Sequence, residues 1–362
     1  MERRRAWCSP RSSEWPTLAA VRFVMALTVV AYHLPVVRAK GKVPILEQFG
    51  GLGCICGFLA ISGYSIAHSI STRPKGFFRR RAWRILPVYY VTMLLAVLPY
   101  LFAKGLPPFR VAFADFTTSE LVGSLFLLQC FATDKIPIFG PSWTLAIEWW
   151  FYLAAPLFVR ARSWMLWVIV GMSLVAQKEA LAHGFFPVHE YKWGIPAVML
   201  LWAWLSGFLF YRSPGWSAAL VVLVGYHAVS LFVDRSPDAY LLAAVAVITA
   251  KSLPPMPRFL ARALNYLGDL SYPLYLVHVP LLAWTSRWTR WFDPYAYIGI
   301  SLGASALLYH VVDAPLRARF SARAPEAHTK PGAHVTAAAT SDVSASSSAK
   351  TEAPKTQAPE TR

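Results

Sequence analysis

Residues 17–37 have the sequence TLAAVRFVMALTVVAYHLPVV, and this stretch decides the class of the fold. Only Arg22 and His33 are strongly polar in a run long enough to cross a bilayer, since about 20 residues of helix span a hydrocarbon core about 30 Å thick. The run follows a basic segment, residues 3–11, and is longer than the apolar core of a cleaved signal peptide. It is predicted to be the first transmembrane helix.

The rest of the chain repeats this apolar pattern. Hydrophobic residues make up 56% and charged residues 15% of the 362 positions, whereas roughly a quarter of the residues of soluble proteins are charged. The mean hydropathy is +0.43. The candidate spans are residues 17–37, 49–70, 85–103, 143–159, 164–181, 194–211, 216–233, 238–252, 269–286 and 295–313. The predicted fold is an all-α, polytopic transmembrane helical bundle of about ten spans.

The chain is predicted to have three parts. Residues 1–16 form a cytoplasmic N-terminal segment, residues 17–320 the transmembrane domain and residues 321–362 a disordered cytoplasmic tail. The tail is rich in Ala, Ser, Thr, Pro and Lys and has no apolar periodicity, so it cannot bury enough surface to offset the entropy of ordering. Residues 119–132 are too few to span comfortably and contain Gln129, which predicts a re-entrant or interfacial element.

The net charge of +17 follows the ends of the apolar runs. Basic residues gather in short loops that a ten-span arrangement puts in the cytoplasm, together with both termini. The exceptions are Arg287 and Arg290, which fall outside. This placement makes the charge topogenic, so nucleic acid is not an expected partner, although membrane lipids are. The four cysteines show no zinc or redox spacing, and no metal site is predicted.

Arg22 and His33 are eleven positions apart. Eleven steps of about 100° return a helix to within roughly 20°, so both side chains are predicted on one face, about 16 Å apart along the axis. They would line one path at two depths, which suits an elongated ligand with an anionic head on the cytoplasmic side. The alternative is that Arg22 reaches lipid phosphates and His33 is a satisfied interfacial histidine.

Glu148 lies within the segment SWTLAIEWWFY, residues 142–152, one to two turns inside an apolar helix. A carboxylate at that depth is costly unless it is paired, protonated or hydrated, so a functional role is the first hypothesis. The alternative is a packing ion pair with Arg22 or with an arginine of residues 79–84.

Arg81, Arg84 and His278 are further candidates. The two arginines are three positions apart and share a helix face that could clamp phosphates, although plain anchoring on the cytoplasmic side is an alternative. His278 is predicted at mid-depth between Pro273 and Pro280, which free backbone groups beside a cavity. Its alternative role is a simple hydrogen bond to a neighbouring helix.

Together these segments resemble acyltransferase family 3, the membrane proteins that include bacterial O-antigen and exopolysaccharide O-acetylases, over about residues 15–320. The motifs that carry the resemblance are Arg-x10-His (Arg22, His33), Ser-Gly-Tyr (Ser62 to Tyr64), Arg-x2-Arg (Arg81, Arg84), Ser-Trp-x4-Glu-x3-Tyr (Ser142, Trp143, Glu148, Tyr152), Gly-x2-Ser-Tyr-x2-Tyr-x2-His (Gly268 to His278) and acid-x-Pro (Asp313, Pro315). The sequence departs from the family pattern at Leu59, where a phenylalanine is usual, and at Asp313, where glutamate is commoner.

The resemblance implies transfer of an acyl group, mostly acetyl, from cytoplasmic acyl-CoA to a hydroxyl of an extracytoplasmic acceptor, above all a cell-surface glycan. Arg22, Arg81 and Arg84 would hold the CoA phosphates. His33 would be the general base, and Glu148 would orient His33 or the acceptor, or share the proton. Direct transfer is the simpler expectation, with an acyl-His33 intermediate as the alternative. The remaining site candidates are Ser62, Ser142, Trp143, Tyr152 and His278.

The expected location is the bacterial inner membrane, with surface-polysaccharide assembly proteins as partners. No extracytoplasmic hydrolase-like domain follows the membrane part, so the acyl group would be delivered directly or passed to a separate protein. Two rival functions remain at this stage. A transporter or flippase would line its path with the same buried charges, although no inverted repeat is evident. A non-catalytic scaffold would need none of these buried charges.

Overall fold

The computed structural model describes residues 10–37, 43–47, 49–101, 115–185, 187–231, 237–288 and 293–322. These residues are almost entirely helical, and their only strands are a two-residue antiparallel pair, Pro10–Arg11 (β1) with Met256–Pro257 (β2). The tail from residue 323, the first nine residues, Arg290 and the side chain of Arg287 lie outside this description. The predictions made for them, and the domain boundaries, stay predictions.

The helices follow one another through short connections. The first six are α1 (Glu14–His33), α2 (Pro44–Glu47), α3 (Gly51–Thr72), α4 (Phe77–Leu101), α5 (Thr118–Leu125) and α6 (Ser142–Arg160). The others are α7 (Ser163–Ala182), α8 (Ile195–Arg212), α9 (Trp216–Ser230), α10 (Asp238–Thr249), α11 (Arg258–Trp288), α12 (Pro294–Leu308) and α13 (Ala314–Ala322). A π-helical turn, Tyr309–Asp313, joins α12 to α13 without a break.

Six helices of the described part are long and apolar enough to cross a membrane. They are α1, α3, α4, α7, α8 and the continuous segment Pro294–Arg319. The helices α6 and α11, 19 and 31 residues long, have the length but are less apolar, whereas α9 and α10 are shorter apolar helices. The helical membrane fold therefore agrees with the sequence, and the number of ten spans remains a prediction.

The stretch predicted to be re-entrant or interfacial contains the short helix α5. Eight residues rise only about 12 Å, which is too little to cross the hydrocarbon core. The following loop is anchored by Gln129, whose buried side-chain amide donates to the Tyr89 hydroxyl at 2.7 Å and lies 3.4 Å from Ser142 Oγ. Gln129 thus ties this loop to α4 and α6.

The centre of the bundle is α3, which packs against α1, α6, α8 and α10. Its closest approach is to α8, where two glycines face each other's backbones. A Cβ on Gly63 would lie 1.9 Å from the Trp204 carbonyl oxygen, and one on Gly207 would lie 1.9 Å from the Ala60 carbonyl oxygen. Small residues permit this backbone contact in a membrane helix pair. On the other side α11 packs against α1, α4 and α12.

We expect Gly63→Ala and Gly207→Ala to destabilise the bundle, because a methyl group would collide with backbone that cannot move aside alone. Overpacking of this kind costs about 1–3 kcal/mol or more, which thermal unfolding of the detergent-solubilised protein would report as a lower midpoint. Gly171→Ala on α7 is the matched control, since nothing lies within 4 Å of its added methyl. If Gly63→Ala and Gly171→Ala have the same midpoint of thermal unfolding, the α3–α8 contact is not as close as described.

Candidate active site

Six of the residues singled out from the sequence line one cavity between α1, α3, α4, α6 and α11. They are Arg22, Ser62, Arg81, Arg84, Glu148 and Tyr152. This central chamber has a volume of about 90 Å³. Residues up to 130 positions apart in the chain therefore meet at one place, and this chamber has polar lining although the helices around it are apolar.

Glu148 is held by its own helix. Tyr152, one turn later, donates its hydroxyl proton to Glu148 Oε1, as the i, i+4 spacing on one helix face allows. The Tyr152 hydroxyl also lies 3.2 Å from Ser62 Oγ on α3, and the guanidinium carbon of Arg81 lies 5.8 Å from the centre of the Tyr152 ring. Among the described residues no arginine lies within 4 Å of the Glu148 carboxylate, so the predicted alternative of a direct packing ion pair is not observed there.

A larger cavity of about 420 Å³ adjoins the central chamber at Arg22, Arg81 and Arg84. Arg73 and Arg80 also line it, so five guanidinium groups face one space. We call this cavity the arginine vestibule. Its lining has a single carboxylate among the described residues, that of Asp269, whose Oδ1 lies 2.7 Å from Arg317 Nη1 and which is therefore already paired. Such a concentration of guanidinium groups suits a ligand that carries several phosphates.

The third cavity, of about 360 Å³, lies at the end of α1 that carries His33. We call it the outer chamber. Its side-chain lining includes Tyr32, His33, Lys135, Trp143, His189 and Tyr275. The outer chamber meets the central chamber at Ile55 and Tyr275. The three cavities therefore follow one another along α1, with Arg22 near one end of the series and His33 at the other.

Hydrogen bonds fix the tautomer of His33. His33 Nδ1 lies 2.8 Å from the Val29 carbonyl oxygen, which can only accept, so Nδ1 carries the proton. His278 Nδ1 likewise donates to the Leu274 carbonyl at 3.1 Å, which leaves its Nε2 to accept from His33 Nδ1 at 3.2 Å. The Nε2 of a neutral His33 is then unprotonated, and no described residue bonds to it. It has the lone pair that a general base needs.

Two predicted relationships look different in the structure. Glu148 lies in the central chamber and His33 in the outer chamber, and the side chain that accepts a hydrogen bond from His33 is His278 and not Glu148. Ser142 is buried and faces Gln129 rather than a cavity, whereas its neighbour Trp143 lines the outer chamber.

Lys135 and His189 in the outer chamber were missed by the sequence analysis. Lys135 lies in a loop and His189 in a single 3₁₀ turn, and neither is long enough for periodicity to mark a residue as inward-facing. Burial, with help from the positive charge of Lys135, lowers the pKa of His189 to about 4, and burial also lowers the pKa of Lys135. The His189 ring centre lies 5.8 Å from that of Trp143. At neutral pH His189 is therefore an uncharged part of an aromatic wall.

Comparison with known proteins shows which family the chain is similar to. A family model described as an acyltransferase domain matches residues 15–310. The acyltransferase MdmB of Streptomyces mycarofaciens is 26% identical over 88% of this chain and 95% of its own length. The peptidoglycan O-acetyltransferase OatA of Listeria monocytogenes is 23% identical over 75% of this chain, which spans only 50% of that protein. Nodulation protein 10 of Rhizobium leguminosarum is 25% identical over 69% of this chain and 79% of its own length. No solved structure matches.

We expect His189 to make folding less favourable in acid. The unfolded histidine titrates near 6.5 and the folded one near 4, so below about pH 6.5 the unfolded state binds more protons and stability falls until about pH 4. His189→Gln should flatten this part of a plot of thermal midpoint against pH. His183→Gln, an exposed histidine outside the three cavities, should keep the wild-type profile. Identical profiles for His189→Gln and wild type would contradict the burial of His189.

Proposed function

The chain belongs to acyltransferase family 3, a family of membrane enzymes that transfer acyl groups, and from this we propose a specific reaction. An acyl group, foremost acetyl, moves from cytoplasmic acyl-CoA to a hydroxyl of a cell-surface glycan on the outer side of a bacterial inner membrane. The observation that carries the proposal is the series of three cavities, with guanidinium groups at one end and the free Nε2 of His33 at the other.

The donor side is the arginine vestibule, which takes the phosphates of CoA. Arg22, Arg81 and Arg84 lie where the vestibule opens into the central chamber, so phosphates held there direct the rest of the donor inward. Guanidinium groups bind phosphate oxygens through two parallel N–H donors, which supports this role. The same positive charge supports a cytoplasmic position for this end and for both termini.

The acyl end of the donor reaches His33 through the central chamber. The rise from Arg22 to His33 is about 16 Å, a distance that suits an extended pantetheine arm between phosphate and thioester. Glu148 lies beside this route, fixed by Tyr152. We assign Glu148 the role of accepting a hydrogen bond from an amide N–H of the arm, because its contacts do not reach His33.

The transfer step uses the unprotonated Nε2 of His33. It takes the proton of the acceptor hydroxyl while the hydroxyl oxygen attacks the thioester carbonyl carbon. The new C–O bond replaces the C–S bond, the CoA thiolate leaves, and the imidazolium returns the proton to it as CoA–SH. His278 holds His33 in the tautomer that this step requires. An acyl-His33 intermediate would use the same nitrogen as a nucleophile, and direct transfer needs one step fewer.

The acceptor side is the outer chamber. Tyr32 and Trp143 line it beside His33, and aromatic faces of this kind pack against sugar rings while their polar edges bond to hydroxyls. One relative carries the name peptidoglycan O-acetyltransferase, which supports a glycan as the acceptor class. Proteins that assemble surface polysaccharides would then present the acceptor at this side.

Replacing His33 tests the reaction. In lipid nanodiscs with acetyl-CoA and a candidate glycan, we expect His33→Ala to lower acceptor-dependent CoA release about 100-fold or more, the contribution typical of a general base. His227→Ala is the matched control, because that histidine is exposed on α9 and lines none of the three cavities. Mass spectrometry of surface glycans from a deletion strain and its complement would identify the acceptor by the missing acetyl increment.

The rival functions give different results in this assay. A transporter or flippase would move unmodified glycan across the membrane in both wild type and His33→Ala, without release of CoA. A scaffold would leave glycan acylation in cells unchanged by both His33→Ala and Glu148→Ala. Either result would contradict the proposed reaction.

The role of the arginines has its own test. Arg81→Gln and Arg84→Gln should each raise the KM for acetyl-CoA by roughly 10- to 100-fold, since a hydrogen bond to a charged group contributes about 1.5–3 kcal/mol. Arg79→Gln is the control, because Arg79 is exposed and lines neither the vestibule nor the central chamber. Acetyl-pantetheine, which lacks the nucleotide phosphates, should show little difference among the variants. An equal rise of KM in Arg79→Gln would favour general anchoring by positive charge.

A further inference from the structure

The central chamber and the outer chamber adjoin each other at a small set of residues. Ile55 and Tyr275 line both cavities. Tyr275 is also contacted from two other helices, by Thr144 on α6 and by Phe58 on α3. We call the set of Ile55, Phe58, Thr144 and Tyr275 the neck. Three helices contribute to the neck. Tyr275 on α11 is the larger of the two side chains that line both cavities.

The ring of Tyr275 is fixed in this position. Thr144 donates its hydroxyl proton to the Pro141 carbonyl at 3.0 Å, so the Tyr275 hydroxyl donates to Thr144 Oγ1 at 2.7 Å. On the other side the ring meets Phe58 edge to face, with ring centres 5.5 Å apart. A side chain with contacts at both its hydroxyl and its ring presents a defined obstacle.

The neck lies between the donor side and the reactive histidine. Arg81, Arg84 and Glu148 lie before it and His33 lies after it. If the phosphates stay at the arginines, the acyl end leads and must pass Tyr275 before the carbonyl meets the acceptor. A straight acyl chain is about as narrow as the unbranched part of the arm next to the thioester, whereas a chain branched next to the carbonyl is wider.

From this geometry we infer that Tyr275 is a specificity-determining residue that restricts the donor to acyl groups unbranched at the carbon next to the carbonyl. The inference rests on the proposed acyl-CoA reaction and adds the class of acyl group that it accepts. Length is limited less strictly, because the outer chamber beyond the neck has a volume of about 360 Å³. Shape at the neck, and not the number of carbon atoms, then decides which donor is used.

Butyryl-CoA and isobutyryl-CoA make the test sharp, since the two donors are isomers that differ only in branching. We expect the wild type to use butyryl-CoA at a kcat/KM at least tenfold that of isobutyryl-CoA, and Tyr275→Ala to raise the isobutyryl-to-butyryl ratio about tenfold, or about 1.4 kcal/mol in the barrier. Tyr275→Phe removes only the hydrogen bond that fixes the ring, and Thr144→Val removes that bond together with the one to the Pro141 carbonyl. Both should raise the ratio in the same direction by a smaller factor.

Tyr266→Ala is the matched control, because Tyr266 lies on the same helix, is exposed and lines none of the three cavities. It should keep the wild-type ratio. Gel filtration would establish that each variant is folded, and if Tyr275→Ala fails this check, the near-isosteric Tyr275→Phe and Thr144→Val decide the matter.

The possible outcomes distinguish a failure of the role of Tyr275 from a failure of the proposed acyl transfer. A wild type that uses both isomers equally, or Tyr275 and Thr144 variants that keep the wild-type ratio while still transferring acetyl, would overturn the role of Tyr275 and leave the reaction standing. A wild type that releases no CoA from any acyl donor with any glycan acceptor would overturn the proposed function, and the inference with it.

Discussion

The cost of placing ionisable groups inside an apolar bundle governs this structure. A polar group in hydrocarbon needs a partner or water, because nothing else compensates for its lost hydration. Arg22 and Glu148 lie within predicted spans and Arg81 and Arg84 just before another, and all four line cavities in the bundle. The close α3–α8 contact at Gly63 and Gly207 concentrates tight packing on one side of α3. The polar cavities lie on its other side, against α1, α4, α6 and α11.

The helices, and the alignment of Arg22 with His33 on one helix face, could be predicted from the sequence because both depend on local rules. An apolar run of sufficient length is a helix wherever it lies in a bilayer, and the alignment of Arg22 with His33 follows from helix geometry alone. The spacing of Glu148 and Tyr152 is local in the same way, and one hydrogen bond joins them. The less apolar helices α6 and α11 carry Glu148 and His278, and polar side chains of this kind lower the hydropathy that marks a span.

The rest depends on contacts that no local rule contains. His278 reaches His33 across 245 positions, and only the packing of α11 on α1 brings them together. The family resemblance implied that Glu148 orients His33 or the acceptor, or shares the proton, yet the two side chains line different cavities. Lys135 and His189 come from loops between helices, where neither periodicity nor hydropathy tells an inward side chain from an outward one. Packing in three dimensions decided each of these cases.

The choice of a histidine partner for His33 has a physical reason. A carboxylate beside His33 would bring a second charge into a chamber whose described lining has no other acid, and a buried charge pair often costs more in desolvation than it returns. His278 is neutral. Its Nδ1 donates a hydrogen bond to the Leu274 carbonyl, and its Nε2 accepts one from His33 Nδ1. It therefore fixes the tautomer of His33 without adding charge. Glu148 instead lines the central chamber together with Arg22, Arg81 and Arg84. In the described part of the chain, the central chamber and the arginine vestibule thus hold the arginines with Glu148 and Asp269, whereas the outer chamber holds two histidines and one lysine.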